Sequence, residues 1–220
     1  MTAPQPSLYI VDDDESVRRA LVRMLGAHGY HAVAFESAAR FLDEVDLDKG
    51  PACLVLDILM PDMDGMALQK LVSARIPVII LTGHADVAKA VVAMQAGAID
   101  FLQKPVAGDA LLPAIARACE AATAWFARTR EMKALRQKLD RLTPREREVL
   151  AWIVTGRRNK QVASELGTVE KTIKVHRAHV MQKLEVDSLP ALVRIADQAG
   201  LACGGAALAQ RPISGAPQVS

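Results

Sequence analysis

The sequence predicts a small doubly wound α/β domain, built on a five-stranded parallel sheet, followed by an all-α domain of four helices. Three observations carry this. Over the first 105 residues, short apolar bursts alternate with amphipathic stretches; beyond Leu142 the pattern is helical only; and charge divides between the two parts. Residues 1–127 hold ten Lys and Arg against sixteen Asp and Glu, a net of −6, whereas residues 128–220 hold seventeen against nine, a net of +8. The total of +2 averages two unlike pieces. An acidic front and a basic back predict two functions, with a polyanion as the candidate partner of the second.

The elements follow in order. LYIV (Leu8–Val11), HAVAF (His31–Phe35), CLVLD (Cys53–Asp57), VIILT (Val78–Thr82) and IDFL (Ile99–Leu102) are short, apolar and rich in branched residues. Each reads as a strand buried on both faces. Helical spacing lies between them, as in Val17, Leu21 and Leu25 or in Ala67, Leu68, Leu71 and Val72. Five strands and five helices fill this part. From Ala110 to Leu142 glycine is absent, and Pro113 is placed in the first turn of a helix reaching Arg141, roughly 43 Å at ~1.5 Å per residue. Met132, Leu135, Leu139 and Leu142 fit either a short coiled-coil seam or packing on a neighbouring domain. Thr143-Pro144-Arg145-Glu146 joins an N-cap hydroxyl, a first-turn proline and a capping-box glutamate, so a helix runs to about Thr155, before Gly156. Further helices are predicted over Lys160–Leu166, Val169–Leu184 and Leu189–Ala199, and residues 200–220 read as a flexible tail.

Composition removes several classes. Hydrophobic residues make up 51% and charged residues 24%, which suits a globular chain and not a disordered one. Aromatics at 4% disfavour an aromatic platform for single-stranded nucleic acid. Cys53, Cys119 and Cys203 are far apart along the chain and lack metal-ligand spacing, which argues against a disulfide framework or zinc site and for a reducing compartment. The start MTAPQPS lacks the features of a signal peptide, and the apolar stretch Ala110–Ala127 is interrupted by Arg117 and Glu120. The expectation is a cytoplasmic protein without membrane contact.

Five residues fall at the C-terminal ends of predicted strands: Asp12 and Asp13 after the first, Asp57 on the third, Thr82 on the fourth and Lys104 after the fifth. Open α/β sheets place their sites at that edge, so these residues should converge. Three carboxylates call for a hard cation, and the donor set describes a Mg²⁺ site. Thr82 offers a hydroxyl and Lys104 a point charge, both suited to phosphate oxygens. The competing reading starts from Asp12-x-Asp14, a spacing shared with aspartate-nucleophile phosphohydrolases, in which the nucleophile follows the first strand. Acidic residues do not cluster after Lys104, Asp109 aside, and the richest motif surrounds Asp57.

VDDDESVRRAL, LVLDILMPDMDG, ILTGHADV and FLQKP resemble the receiver domain of two-component response regulators, over residues 7 to about 124. The resemblance implies a flavodoxin-like sheet in the order 2-1-3-4-5. It implies that Asp57 accepts a phosphoryl group from a histidine kinase, and that Asp12, Asp13, Asp57 and the backbone carbonyl of Leu59 hold Mg²⁺. Thr82 would bind the phosphoryl oxygens, Lys104 would neutralise them, and Phe101 would be the switch aromatic that turns inward as Thr82 moves. A cis Lys104–Pro105 bond is also implied. Phosphoryl transfer needs in-line positioning and charge neutralisation, which these residue types supply. The modified aspartate would bias a two-state packing of Thr82 and Phe101. Apolar Leu59, two residues after Asp57, is expected to hinder an attacking water; His84, two after Thr82, could orient one or simply be solvated.

The segment LTPREREVLAWIVTGRRNKQVASELGTVEKTIKVHRAHVMQKLEVDSLPALVRIA, residues 142–197, resembles the LuxR/FixJ-type helix-turn-helix. With the receiver motifs it places the chain near the FixJ-like (NarL-like) response regulators. Val169, Ile173, Val180 and Leu184 provide a stripe to be buried with Val162, Leu166, Val149, Leu150, Ile153, Leu192 and Val193. Lys171, Lys174, Val175 and Ala178 form another face that can enter a major groove. The resemblance places base contacts at Lys174, Val175 and Ala178. Arg157, Arg158, Lys160, Thr168, Thr172, Arg177 and Lys183 are candidates for phosphate contacts.

The domains are thus expected as a receiver over 7–124, a helical linker over 125–142, a DNA-binding domain over 143–199 and a tail over 200–220. The resemblance further implies a homodimer formed on phosphorylation through Ala88, Val91, Val92, Gln95 and Phe101. Its partners would be a histidine kinase, double-stranded promoter DNA and, beyond these, RNA polymerase. An alternative coupling has the unmodified receiver cover the recognition helix. The function expected is a phosphorylation-dependent transcription regulator, not a turnover enzyme, acting chemically only on its own Asp57. A DNA-binding protein with an unphosphorylated receiver used for interaction is the second reading.

Overall fold

The computed structural model describes residues 5–61, 63–83 and 87–201; His84 and the tail beyond Leu201 lie outside the described residues. The chain divides into two compact units between Arg128 and Thr129. In the first, strands β1 (Ser7–Val11), β2 (Ala32–Phe35), β3 (Ala52–Asp57), β4 (Val78–Thr82) and β5 (Ala98–Gln103) alternate with helices α1 (Glu15–Ala27), α2 (Ala38–Glu44), α3 (Gly65–Val72), α4 (Val87–Gln95) and α5 (Gly108–Asp140). The sheet is parallel, in the order β2-β1-β3-β4-β5. Right-handed crossovers of helix are what parallel neighbours require, and they leave every strand of the centre covered on two faces. β3 and β4 are accordingly buried at every residue.

Alternation along the strands sorts two cores. Val11, Leu54, Leu56 and Ile80 pack with Phe41, Leu68, Val72 and Ala93 on one face. Leu8, Ile10, Cys53, Val55, Ile79 and Leu81 pack with Leu21, Leu25, Leu111 and Ile115 on the other. Phe41 meets Tyr9 and Phe35 edge-on with ring centres 5.6 Å apart, an arrangement aromatic quadrupoles favour, and Tyr9 and Phe35 are tilted to each other at 6.0 Å.

The helical pattern of α3 differs from the sequence expectation. The buried face is Gly65, Leu68, Gln69 and Val72, while Leu71 is 59% exposed. A glutamine takes a core position because its Nε2 donates to the carbonyl of Ala93 on α4 at 2.8 Å. That bond offsets part of the desolvation of the amide, whose Oε1 is buried without a hydrogen-bond partner, and no hydropathy pattern registers it. Helix α5 also begins earlier than expected. The Ala107 carbonyl accepts from the N–H groups of Ala110 and Leu111, which puts Pro113 inside the helix and not in its first turn.

The second unit comprises the later part of α5 with α6 (Pro144–Ile153), α7 (Asn159–Glu165), α8 (Glu170–Lys183) and α9 (Leu189–Gln198). Leu135, Leu139 and Leu142 are buried in its core with Val149, Leu150, Ile153, Val162, Ile173, Val180, Leu184 and Leu192. These leucines pack inside the unit and leave no seam for a coiled coil. Two expected core residues differ. Val169 is 64% exposed, since it is the extended N-cap residue of α8 and its side chain precedes the helical stripe. Val193 is only half-buried, while Leu192 and Ala196 are the buried residues of the same helix.

Candidate functional sites

Parallel register delivers the predicted acidic residues to one edge of the sheet. Val11 lies opposite Leu56, Asp57 opposite Leu81, and Thr82 opposite Gln103. The turns that follow β1 and β5 therefore bring Asp12, Asp13 and Lys104 beside Asp57. Asp12, Asp57 and Thr82 are buried and Asp13 is exposed. One carboxylate oxygen from each of Asp12, Asp13 and Asp57 lies within 4.8 Å of the others.

Lys104 ties this group together. Its Nζ donates to Asp57 Oδ2 at 2.8 Å and stands 2.6 Å from Asp12 Oδ2, the second contact being an ion pair without the alignment of a hydrogen bond. The backbone N–H groups of Leu59 and Asp14 donate to Asp57 Oδ1 and Asp12 Oδ1 at 3.1 and 3.0 Å. Burial pushes the Asp12 carboxyl above the ordinary carboxylate range, against the opposing pull of Lys104. Burial works to lower the Lys104 ammonium, but the two carboxylates outweigh it and raise the group. Three carboxylates beside one ammonium, which pairs with Asp12 and Asp57, leave excess negative charge and oxygen lone pairs, the donor set of a hard divalent cation.

Local chemistry fixes the frame. Asp14 caps α1 through bonds from the N–H groups of Ser16 and Val17, and the Lys104–Pro105 peptide is cis. Gly65 lets the start of α3 close over the end of β3; its N–H donates to the Ile58 carbonyl at 3.0 Å. Two contributors escaped sequence reasoning. The Leu59 N–H donates to Asp57, a backbone contact that residue type does not signal, and Arg18 donates to the backbone carbonyl of Asp12 at 2.7 Å. Arg18 sits six residues on, along the amphipathic α1, where only proximity in the fold distinguishes it from Arg19 and Arg23.

Phe101, on β5 opposite Ile80 of β4, is half-buried against the first of the two cores. On α4, Ala88, Val91, Val92 and Gln95 are exposed, with Val91 at 50% and Val92 at 47%. Val87 and Met94 extend this apolar surface, two residues the sequence did not single out.

In the second unit, α7 and α8 join through Leu166, Gly167, Thr168 and Val169, with Gly167 at φ +60°, a backbone region that favours glycine. Lys171, Lys174, Val175 and Ala178 are all exposed on α8, opposite the buried Ile173 and Val180. Lys174 lies 3.2 Å from Glu170 in an exposed i,i+4 pair. Lys160 and Arg158 are exposed, while Thr168, Thr172 and Arg177 are half-buried, with Arg177 donating to Asn159 at 3.5 Å. Arg157 stacks over the Trp152 ring and pairs with Glu165.

Lys183 has a structural partner. Its Nζ donates to Glu146 Oε2 at 2.6 Å, and that oxygen also accepts the Thr143 N–H at 2.8 Å in the predicted capping box. Burial would raise the Glu146 carboxyl, but Lys183 and Thr143 together hold it below its usual value. The stability it contributes is therefore present above the ordinary glutamate range and lost as pH falls through the lowered value. Glu146→Gln, which keeps the cap but removes the charge, should destabilise the second unit by about 2 kcal/mol at neutral pH. Chemical unfolding of the two chains should show that gap shrinking in acid.

The comparisons with known proteins agree with this division. The response regulator receiver domain family matches residues 8–116, and the luxR family of bacterial regulatory proteins matches residues 140–196. Transcriptional regulatory protein FixJ of Rhizobium meliloti (strain 1021) is 42% identical over 193 residues, covering 86% of this chain and 94% of that protein. Nodulation protein W of Bradyrhizobium diazoefficiens is 38% identical over 197 residues, covering 88% and 86%. Among solved structures, response regulator StyR is 40% identical with a TM-score of 0.76, covering 89% of this chain and 100% of that one. Among the described residues no helix is long and apolar enough to cross a membrane.

Proposed function

Because the chain belongs to the response regulators that join a receiver domain to a luxR-type DNA-binding domain, we propose that Asp57 accepts a phosphoryl group from a histidine kinase and thereby controls promoter binding. It is a two-component transcription regulator and not a classical enzyme. The observation that carries the reading is the pairing of Asp57 with Lys104 at 2.8 Å, beside Asp12 and Asp13, at the mouth of a parallel sheet.

Asp12, Asp13 and Asp57, with the Leu59 carbonyl, would hold Mg²⁺; when bound it neutralises charge on the phosphoryl oxygens and on the carboxylates. Asp57 supplies the nucleophilic oxygen, which bonds to phosphorus as the bond from phosphorus to the histidine nitrogen breaks in line. The Leu59 N–H keeps one Asp57 oxygen oriented. The Lys104 ammonium, already on Asp57, follows the added negative charge, and the Thr82 hydroxyl donates to a phosphoryl oxygen. Phe101, half-buried beside that strand end, takes the space Thr82 leaves. Residues 7–124 act here as the receiver, 125–142 as the connecting helix and 143–199 as the DNA reader.

The exposed apolar face of α4, with Ala88, Val91, Val92, Gln95 and the nearby Phe101, suits the dimer contact formed on phosphorylation. Acetyl phosphate with Mg²⁺ should modify Asp57 and shift the mass in solution from monomer to dimer. Asp57→Asn should abolish both. Label on another aspartate would overturn the assignment, and a monomer that gains DNA binding would reject the dimer.

On DNA, α8 would lie in the major groove. Lys174, Val175 and Ala178 would meet base edges, and Lys171, Thr172, Arg177 and Lys160 the backbone, while the Lys183 ammonium is held by Glu146. Lys174→Ala should weaken operator binding by about 1–3 kcal/mol and binding to random duplex by less. Fluorescence anisotropy on the two duplexes measures the difference; equal losses would make Lys174 a phosphate contact.

A further inference from the structure

Two of the three cysteines, read from sequence as remote from one another, are neighbours in the fold. Cys53 on β3 and Cys119 on α5, 66 positions apart, place their sulfurs 3.8 Å from each other as free thiols. Their environments differ. Cys53 is fully enclosed by the core between the sheet and α5, whereas Cys119 is half-buried and lines a cavity of about 350 Å³. Gln5, Tyr9, Tyr30 and His31 also line that cavity, which opens where β1 and β2 begin, at the sheet edge opposite Asp57.

We propose that Cys53 and Cys119 form an oxidation site, in which a hydroperoxide entering this cavity converts the two thiols to an intrachain disulfide. Access makes Cys119 the first thiol attacked and leaves Cys53 as the resolving partner. The contact with Cys53 also holds the Cys119 thiol below its ordinary value, while the same contact and burial push Cys53 up. In the first step the Cys119 thiolate sulfur bonds to a peroxide oxygen. The O–O bond breaks and the alcohol leaves with the thiol proton, giving a sulfenic acid. In the second, the Cys53 sulfur bonds to the Cys119 sulfur, the S–O bond breaks, and hydroxide departs with the Cys53 proton as water. The thiols lose two electrons and the peroxide gains them. Closing the bond requires the sulfurs to approach by about 2 Å, a movement within reach of side-chain rotation and a small shift of α5 on β3.

The site is independent of phosphorylation at Asp57, so its test stands apart from that reading. The full chain carrying Cys203→Ala, which leaves only this pair, is reduced, treated with hydrogen peroxide, alkylated and digested without reductant. The expected result is a peptide pair joined through Cys53 and Cys119, complete loss of alkylatable thiol, and reversal by dithiothreitol. In the same background, Cys53→Ala should leave a Cys119 sulfenic acid that dimedone captures, and Cys119→Ala should leave Cys53 unreactive in the folded chain. Two thiols that stay alkylatable at peroxide levels oxidising glutathione would overturn the proposal and reduce the pair to core filling. So would a linkage formed only in urea or only between chains.

Discussion

Lys104→Ala is expected to destabilise the first unit by about 3–5 kcal/mol when divalent cations are removed by a chelator, because it leaves two buried carboxylates without their shared ammonium. Asp12 is 1% exposed and cannot recover that interaction from water. Adding Mg²⁺ should restore much of the loss, since a cation held by Asp12, Asp13 and Asp57 replaces the missing charge. The pH dependence has a definite sign. The Asp12 carboxyl is raised in the folded state, chiefly by burial. The folded chain therefore binds that proton more tightly than the unfolded chain, and stability falls as pH rises through the raised value. Without the ammonium the raise grows, so the variant should lose most at neutral pH and least in mild acid. Urea unfolding with chelator, with Mg²⁺ and across pH measures all three effects. A loss that is the same with and without Mg²⁺ would mean that the acidic group does not hold a cation.

Gly65→Ala should be nearly as damaging, for a steric reason. A Cβ at this position would lie 2.1 Å from the Asp57 carbonyl oxygen and 2.8 Å from Ile58 Cα. Both obstacles are backbone, so no side chain can rotate away, and the turn between β3 and α3 must move. A cost of about 3 kcal/mol is expected. Because the atoms displaced belong to Asp57 and Ile58, the folded fraction should also take up less phosphoryl group from acetyl phosphate. Gly26→Ala is the control: it lies within α1 with nothing inside 4 Å of the added carbon, and should stabilise by about 0.5–1 kcal/mol. Equal stability of the two variants in thermal unfolding would refute the steric account.

The sheet was legible because its strands are short apolar runs, and each predicted run lies within one residue of a strand end in the structure. Their C-terminal residues were legible as a site for the same reason, since parallel order sends them to one edge. Side-chain alternatives within helices were less so. Leu71 and Gln69 differ by half a turn on α3, and hydropathy favours the leucine for the core; the glutamine is buried because one carbonyl on α4 lies within reach of its amide. Likewise, Lys183 reads as a surface cation at the end of a basic helix, and only the packing of α6 against α8 puts Glu146 beside it.

What the sequence determined by itself is the order of elements, the division of charge between the two units, and the inventory of groups at the acidic edge. These depend on local periodicity and on residue type, which are written along the chain. Tertiary structure alone decided which of those groups touch. Lys104 bridges Asp12 and Asp57 across 92 and 47 positions, and Cys53 meets Cys119 across 66. Such contacts depend on how a helix seats on a strand to within an ångström or two. Periodicity fixes the face a residue occupies, and packing fixes the neighbour it finds there.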